Sequence, residues 1–110
     1  MSGGSLGDFE KMVLLAILQL GGESYGAPIL EEIEGRTGRV PSSGSLYVAL
    51  RRMEKRGLLS SSFGDPTPER GGRAKRFFRI EPRALKLLRQ SQEAWNQMAE
   101  GLEPVLEAKS

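Results

Sequence analysis

The side chains that could do chemistry in this chain are mainly charged, because its 110 residues include 16 Lys and Arg and 14 Asp and Glu but neither Cys nor His. The absence of both excludes thiol nucleophiles, disulfides, Cys/His zinc sites and the common acyl-transfer dyads and triads. Groups of carboxylates such as Glu31, Glu32 and Glu34 exist, but we expect them on the outer, solvated face of a short helix, without a His, Cys or phosphate loop beside them. The sequence therefore predicts a protein that is not an enzyme and that uses no metal or cofactor.

The positive charge is concentrated in the middle of the chain. Residues 36–80 contain eleven Lys and Arg and three acidic residues, a net charge of +8, whereas residues 1–35 and 81–110 carry −5 and −1. A basic segment between two acidic ones is typical of a face that binds a polyanion. A solvated basic surface without a partner is the alternative, and the fold of the segment has to decide between them.

Three helices are expected in the first half of the chain. Apolar residues spaced by three and four predict a core helix over Leu6–Leu20, and Ser24 is expected to cap a second helix. A third helix, which lies in the basic segment, buries a stripe of Leu46, Leu50 and Met53. Its other side carries the basic residues, so this helix is the first candidate for a binding surface.

A hairpin and a last helix follow. Leu58–Phe63 and Ala74–Ile80 have the alternating, aromatic character of strands, and residues 64–73 between them are dense in turn residues. A long helix is expected from Pro82 to about Glu103. The order predicts a mainly α fold with a small β-hairpin, the winged helix-turn-helix, with three helices, a two-stranded wing and a long C-terminal dimerisation helix.

The predicted fold assigns a role to each part of the chain. Residues 1–5 are expected to form a flexible tail, residues 6–80 a DNA-binding domain, and residues 81–110 a dimerisation helix and tail. In a winged helix the third helix enters the major groove of duplex DNA and the hairpin reaches the flanking backbone. The positive charge falls on these two elements, which favours the polyanion-binding interpretation.

The candidate DNA contacts lie on the third helix and on the wing. Hydroxyl and backbone N–H groups at a helix N-terminus suit a phosphate oxygen, and one arginine further along can read guanine. The predicted contacts are Ser42, Ser43, Ser45, Tyr47, Arg51, Arg52, Lys55, Arg70, Arg73, Lys75 and Arg76. The alternatives are helix capping by the serines, packing of Tyr47 against the hairpin, and solvent exposure of the wing cations. Whether Arg51 or Arg52 reads the base stays open.

The last helix carries a heptad-like seam. Leu88, Trp95 and Leu102 recur every seven residues. Each is followed three positions later by one member of a second set, which consists of Ser91, Met98 and Val105. Such a seam packs against another helix, and the small domain has little core to offer it. We therefore expect these six residues to form a homodimer interface.

Three parts of the sequence resemble the PadR family of transcriptional regulators over about residues 6–90. They are Gly7–Glu10 with Val13–Leu18 and Gly22–Gly26, then Ser45–Leu58, then Gly72–Ile80. The length and the single C-terminal helix resemble the smaller members of the family. The resemblance implies a homodimeric repressor, a DNA contact by Tyr47 and, as an alternative role for Trp95, stacking on a small flat apolar effector.

These observations predict a sequence-specific transcriptional regulator that binds an inverted-repeat operator in double-stranded DNA. The alternative is a winged-helix interaction module whose basic face binds an acidic protein partner. The longest apolar run, Met12–Leu18, is seven residues, too short to span a bilayer, and the N-terminus lacks the features of a signal peptide. We therefore expect a cytoplasmic protein without a membrane partner.

Overall fold

Helices and short strands follow one another through residues 5–64 and 75–108, which the computed structural model describes. In chain order the elements are α1 (Asp8–Gln19), β1 (Glu23–Ser24), α2 (Gly26–Thr37), α3 (Ser43–Lys55), β2 (Leu59–Phe63), β3 (Arg76–Ile80), α4 (Pro82–Ala99) and α5 (Glu103–Leu106). The predicted class, mainly helical with a small antiparallel sheet, is confirmed. Most of the predicted tail and of the predicted wing tip lie outside the described residues. No helix of the described part is long and apolar enough to cross a membrane.

The sheet has three strands in the order β1-β3-β2, all antiparallel. Ser61 of β2 pairs with Phe78 of β3, as the predicted hairpin requires. On the other edge of β3, Ser24 also pairs with Phe78, so the sheet has one strand more than predicted. The prediction that Ser24 caps the second helix is wrong. This ladder holds Ser24 in buried, extended backbone, and Tyr25 takes the N-cap position of α2.

The core lies between the first three helices, the sheet and the start of α4. Leu46, Leu50 and Met53 of α3 are buried, as predicted. They belong to one apolar cluster with Val13, Leu14, Ala16, Ile17, Ile29, Ile33, Ala49, Leu58, Leu59, Phe78, Ala84, Leu87 and Leu88. Because this cluster holds one stripe of α3, the opposite side of the helix is turned to solvent.

The last long helix is shorter than predicted. It ends at Ala99 rather than near Glu103, and Gly101 has a positive φ of 83°. Glycine adopts this left-handed conformation without a steric penalty and commonly ends helices. Leu102 and Val105 therefore lie beyond α4, and the predicted seam does not run along one continuous helix.

Candidate nucleic-acid interface

The N-terminus of α3 is fixed by a side-chain cap. Ser42 Oγ accepts a hydrogen bond from the backbone N–H of Ser45 at 3.0 Å and donates to the Ser45 hydroxyl at 2.9 Å. A cap of this kind sets where the helix begins and thus which residues face outward. Ser42 therefore caps the helix, which was the alternative to its predicted DNA contact. The other predicted contacts of α3 are all exposed: Ser43, Ser45, Tyr47, Arg51, Arg52 and Lys55.

Four residues form a stripe on the side of α3 opposite the core. At spacings of four, three and four, this outward stripe consists of Gly44, Val48, Arg51 and Lys55. Tyr47 lies on one flank of the stripe, and Ser45 and Arg52 lie on the other. Val48 is 56% exposed, and sequence reasoning missed it. The signal that could have identified it is its spacing of two residues from the buried Leu46, which places Val48 on the other side of the helix.

The structure separates the basic residues that are ion-paired from those that are not. Among the described residues the pairs are Arg36–Glu32, Arg56–Glu10, Arg76–Glu54 and Arg79–Glu23. The side chains of Arg51, Arg52 and Lys55 make no hydrogen bond or ion pair with any described residue. Unpaired positive charge therefore lies on the outward side of α3, where a polyanion can reach it.

Arg76, predicted as a DNA contact, is turned toward α3. Its Nη2 donates to Glu54 Oε1 at 3.0 Å and to Ser61 Oγ at 3.1 Å. Ser61 in turn donates to the other carboxylate oxygen of Glu54 at 2.6 Å. We call Arg76, Glu54 and Ser61 the wing clamp, because they tie β2 and β3 to α3. This placement favours a positioning role for Arg76 over the predicted DNA contact.

Helices α2 and α3 both begin at a cleft of about 230 Å³. Its lining comprises Tyr25, Gly26, Ala27, Leu30, Ser43, Leu46 and Tyr47. Helix N-termini present unsatisfied N–H groups and the positive end of the helix dipole, and α2 has no side-chain cap. Such a cleft offers N–H and hydroxyl donors of the kind that bind a phosphate oxygen.

Tyr47 is held at this cleft by its contact with Gly26. A Cβ atom at Gly26 would lie 3.3 Å from the Tyr47 hydroxyl, so the glycine allows the close approach. Tyr47 therefore packs against the start of α2. The residue stays 42% exposed, which leaves it accessible to a ligand.

The described end of the wing brings one cation to the same region. Lys75 Nζ lies 4.2 Å from the centroid of the Tyr25 ring, and that ring meets Phe77 edge-to-face at 5.4 Å. Phe77 and Phe78 point to opposite sides of β3, as alternation predicts, with Phe78 buried. Lys75 is thus next to the N-terminus of α2. The predicted wing contacts Arg70 and Arg73 lie outside the described residues.

An apolar surface runs along the C-terminal half of α4. Trp95 is 61% exposed and Met98 78%, and Lys11 Nζ lies 5.6 Å from the centroid of the Trp95 ring. The lysine contact brings this half of α4 next to α1, where Leu15 and Leu18 are exposed. Sequence reasoning assigned α1 wholly to the core and missed these two leucines.

The six predicted interface residues do not share one environment. Leu88 is only 7% exposed and packs in the core of its own chain, and Ser91 is partly buried. Trp95, Met98, Leu102 and Val105 are exposed, the last two beyond the end of α4. The part of the seam that is open to a partner therefore begins after Ser91.

Comparison with known proteins gives a family match and several structural ones. The model of the transcriptional regulator PadR-like family matches residues 14–90. A transcriptional regulator from Clostridium thermocellum is 28% identical, with a TM-score of 0.68 over 86% of this chain and 88% of that chain. A PadR family transcriptional regulator from Eggerthella lenta is 25% identical, with a TM-score of 0.68 over 90% and 84% of the two chains.

A third structure extends the similarity in fold. A PadR-like transcriptional regulator from Bacillus cereus has a TM-score of 0.70 over 92% of this chain and 93% of that chain, at 22% identity. No curated protein sequence matches the chain. The structural matches cover nearly the whole of both chains, so the shared fold extends from the first helix into the last.

Proposed function

Because the chain belongs to the PadR-like family of transcriptional regulators, we propose that it represses transcription by binding an inverted-repeat operator as a homodimer. Proteins of this family are DNA-binding regulators, so the prediction that the chain is not an enzyme is confirmed. One observation carries the proposal for this chain. The outward stripe of α3 holds Arg51 and Lys55 unpaired, while four other arginines of the basic segment are ion-paired.

Helix α3 is the element that enters the major groove. The centre of its exposed side points to the base edges when the helix lies in the groove, and its flanks face the two backbones. Arg51 lies on the outward stripe, so it is the arginine that reads a guanine. Arg52 and Tyr47 lie on opposite flanks, so they contact phosphate.

The cleft at the starts of α2 and α3 binds a phosphate of the flanking backbone. Ser43 and Tyr47 supply hydroxyl groups, the two helix N-termini supply positive dipole ends, and Lys75 supplies a charge at the edge. Arg70 and Arg73 extend this contact along the wing. Their role follows from the sequence alone.

The dimer forms through the apolar surface of α4 and the segment after it. A contiguous exposed patch that includes a tryptophan marks an interaction site on a small protein. Residues 6–80 then form the DNA-binding domain and residues 81–110 the dimerisation segment. A twofold dimer presents two α3 helices symmetrically, so its half-sites lie about one helical turn apart, ~34 Å.

Trp95 has a second candidate role, contact with a small flat apolar effector. The observation that favours it is the exposure of the indole, which lies on the surface proposed above as the dimer interface. Trp95 is the single tryptophan of the sequence, so its fluorescence reports this site directly. Saturable quenching by a planar aromatic compound supports the role if an assay that does not use fluorescence shows that Trp95→Leu no longer binds the compound.

The proposed function is tested on duplexes selected by the wild-type protein from a random-sequence pool. We expect footprints with two symmetric halves, and an affinity that falls linearly with the logarithm of the salt concentration. Arg36→Ala is the matched charge control, because Arg36 is paired with Glu32 away from the outward stripe. It should leave the salt slope unchanged, whereas Arg52→Ala lowers it.

Three results separate the proposal from its alternatives. Weak, sequence-independent binding to duplexes together with tight binding to an acidic protein would favour the interaction module. A protected region shorter than one helical turn would contradict the homodimeric operator. Increased transcription from a reporter that carries the selected duplex would contradict the repressor role.

A further inference from the structure

We infer that Val48 is a specificity-determining residue, which reads thymine through an apolar contact with its C5-methyl group. The inference rests on the proposed binding of α3 in the major groove. Val48 belongs to the outward stripe and is more than half exposed, with Arg51 and Lys55 following it at spacings of three and seven. An apolar side chain thus lies at the centre of the side that carries the unpaired cations.

The stability of the helix does not explain a valine at this position. A β-branched side chain loses rotamer freedom in a helix, so valine is a weaker helix former than alanine. Val48 also lies opposite the buried stripe, and it is not part of the core cluster. A single exposed apolar residue is common on protein surfaces, but this one lies where α3 faces its ligand.

The major groove offers one apolar group that such a side chain can contact. Among the four bases only thymine presents an apolar group there, the C5-methyl, and apolar side chains contact it directly. The neighbouring position on the stripe is Gly44, which adds no side chain, and the nearest atom to a Cβ built there would be Ser42 Oγ at 4.0 Å. The helix can therefore approach the base edges closely enough for the two methyl groups of Val48 to reach a thymine.

The test replaces thymine by uracil, which removes only the methyl group, one position at a time in the duplex selected by the wild-type protein. At one position in each half-site we expect the affinity to fall about fourfold, as for one buried methyl group, and about fifteenfold when both half-sites are changed. For Val48→Ala the same replacement should have no effect. Val48→Thr keeps one methyl group and should retain part of the penalty.

Two controls keep a structural effect apart from base reading. Val40→Ala removes the same atoms from another exposed valine, outside α3, and should keep the full uracil penalty. The thermal unfolding midpoint of Val48→Ala should equal or exceed that of the wild type. A variant that lost thymine preference while unfolding at lower temperature would point to a distorted helix and would overturn the inference.

The remaining results also decide the question. Selected half-sites without thymine, or a uracil penalty that is the same in wild type and Val48→Ala, would overturn the inference while leaving the proposed function intact. Failure of the wild-type protein to select any duplex from the random-sequence pool would contradict the proposed function itself. The two failures are therefore distinguishable in one set of titrations.

Discussion

Replacing Arg76 by alanine should lower the stability of the wing without removing a phosphate contact. The substitution breaks the wing clamp, in which Arg76 holds Glu54 and Ser61. Side chains of the ion pair are 34% and 30% exposed, so solvent screens it and the pair contributes about 1 kcal/mol. For a domain of this size that loss lowers the unfolding midpoint by about 4–8 °C.

The matched variant is Lys75→Ala, one residue away. Lys75 has no ion pair among the described residues and lies over the Tyr25 ring, a cation–π contact that contributes about 0.5–1 kcal/mol, so its loss should lower the unfolding midpoint no more than Arg76→Ala does. If Lys75 contacts a phosphate, the slope of log affinity against log salt falls by about 0.9 per protomer. A dimer carries the change twice, so the measured difference approaches about 1.8.

The assay combines thermal unfolding with fluorescence anisotropy of a labelled duplex over a series of salt concentrations. Arg76→Lys is the third variant, because it keeps the charge but cannot reproduce the forked hydrogen bonds to Glu54 and Ser61. We expect it to be destabilised like Arg76→Ala. If Arg76→Ala instead lowers the salt slope as Lys75→Ala does, with an unchanged midpoint, then Arg76 contacts DNA and the positioning role is wrong.

Three further substitutions test other parts of the proposal. Gly26→Ala should displace the Tyr47 hydroxyl by a few tenths of an ångström. We expect it to weaken DNA binding by about 1 kcal/mol, because that is the value of one lost hydrogen bond. Tyr47→Phe should weaken binding by the same amount in the same titration. Arg51→Ala should cost about 1–3 kcal/mol and relax the preference at one base pair, whereas equal losses on specific and scrambled duplexes would assign it to phosphate. Trp95→Asp should give monomers in sedimentation, and an unchanged dimer would refute the interface on α4.

Periodicity was enough to predict the elements that build the core. The stripe of Leu46, Leu50 and Met53 follows the helical repeat, and the alternation of Phe77 and Phe78 follows the pleat of a strand, so both could be read locally. β1 could not, because two residues are too short to show a period. Ser24 is extended only because the central strand of the sheet pairs with it.

The candidate site was predictable in composition but not in geometry. The sequence identified the basic segment, yet it counted both Arg51 and Arg76 as DNA contacts, the first as a candidate base reader and the second on the wing. What separates them is Glu54, which lies 22 residues from Arg76 in the chain and comes within 3.0 Å of it in the fold. Which cation is neutralised depends on tertiary packing, for which the local sequence around each arginine contains no signal.

The wing clamp also explains why an acidic residue can lie on the helix that we propose to bind DNA. Glu54 is the one acidic residue of α3, and an unpaired carboxylate beside the groove would repel the phosphates. Arg76 neutralises it from the wing, so the outward stripe keeps its positive charge. Because the same contact joins β3 to α3, the element proposed to follow the backbone and the element proposed to read the bases are positioned together. In the proposed complex a change in the tilt of the wing would then alter the register of α3 on the DNA, so the ion pair would couple affinity to specificity.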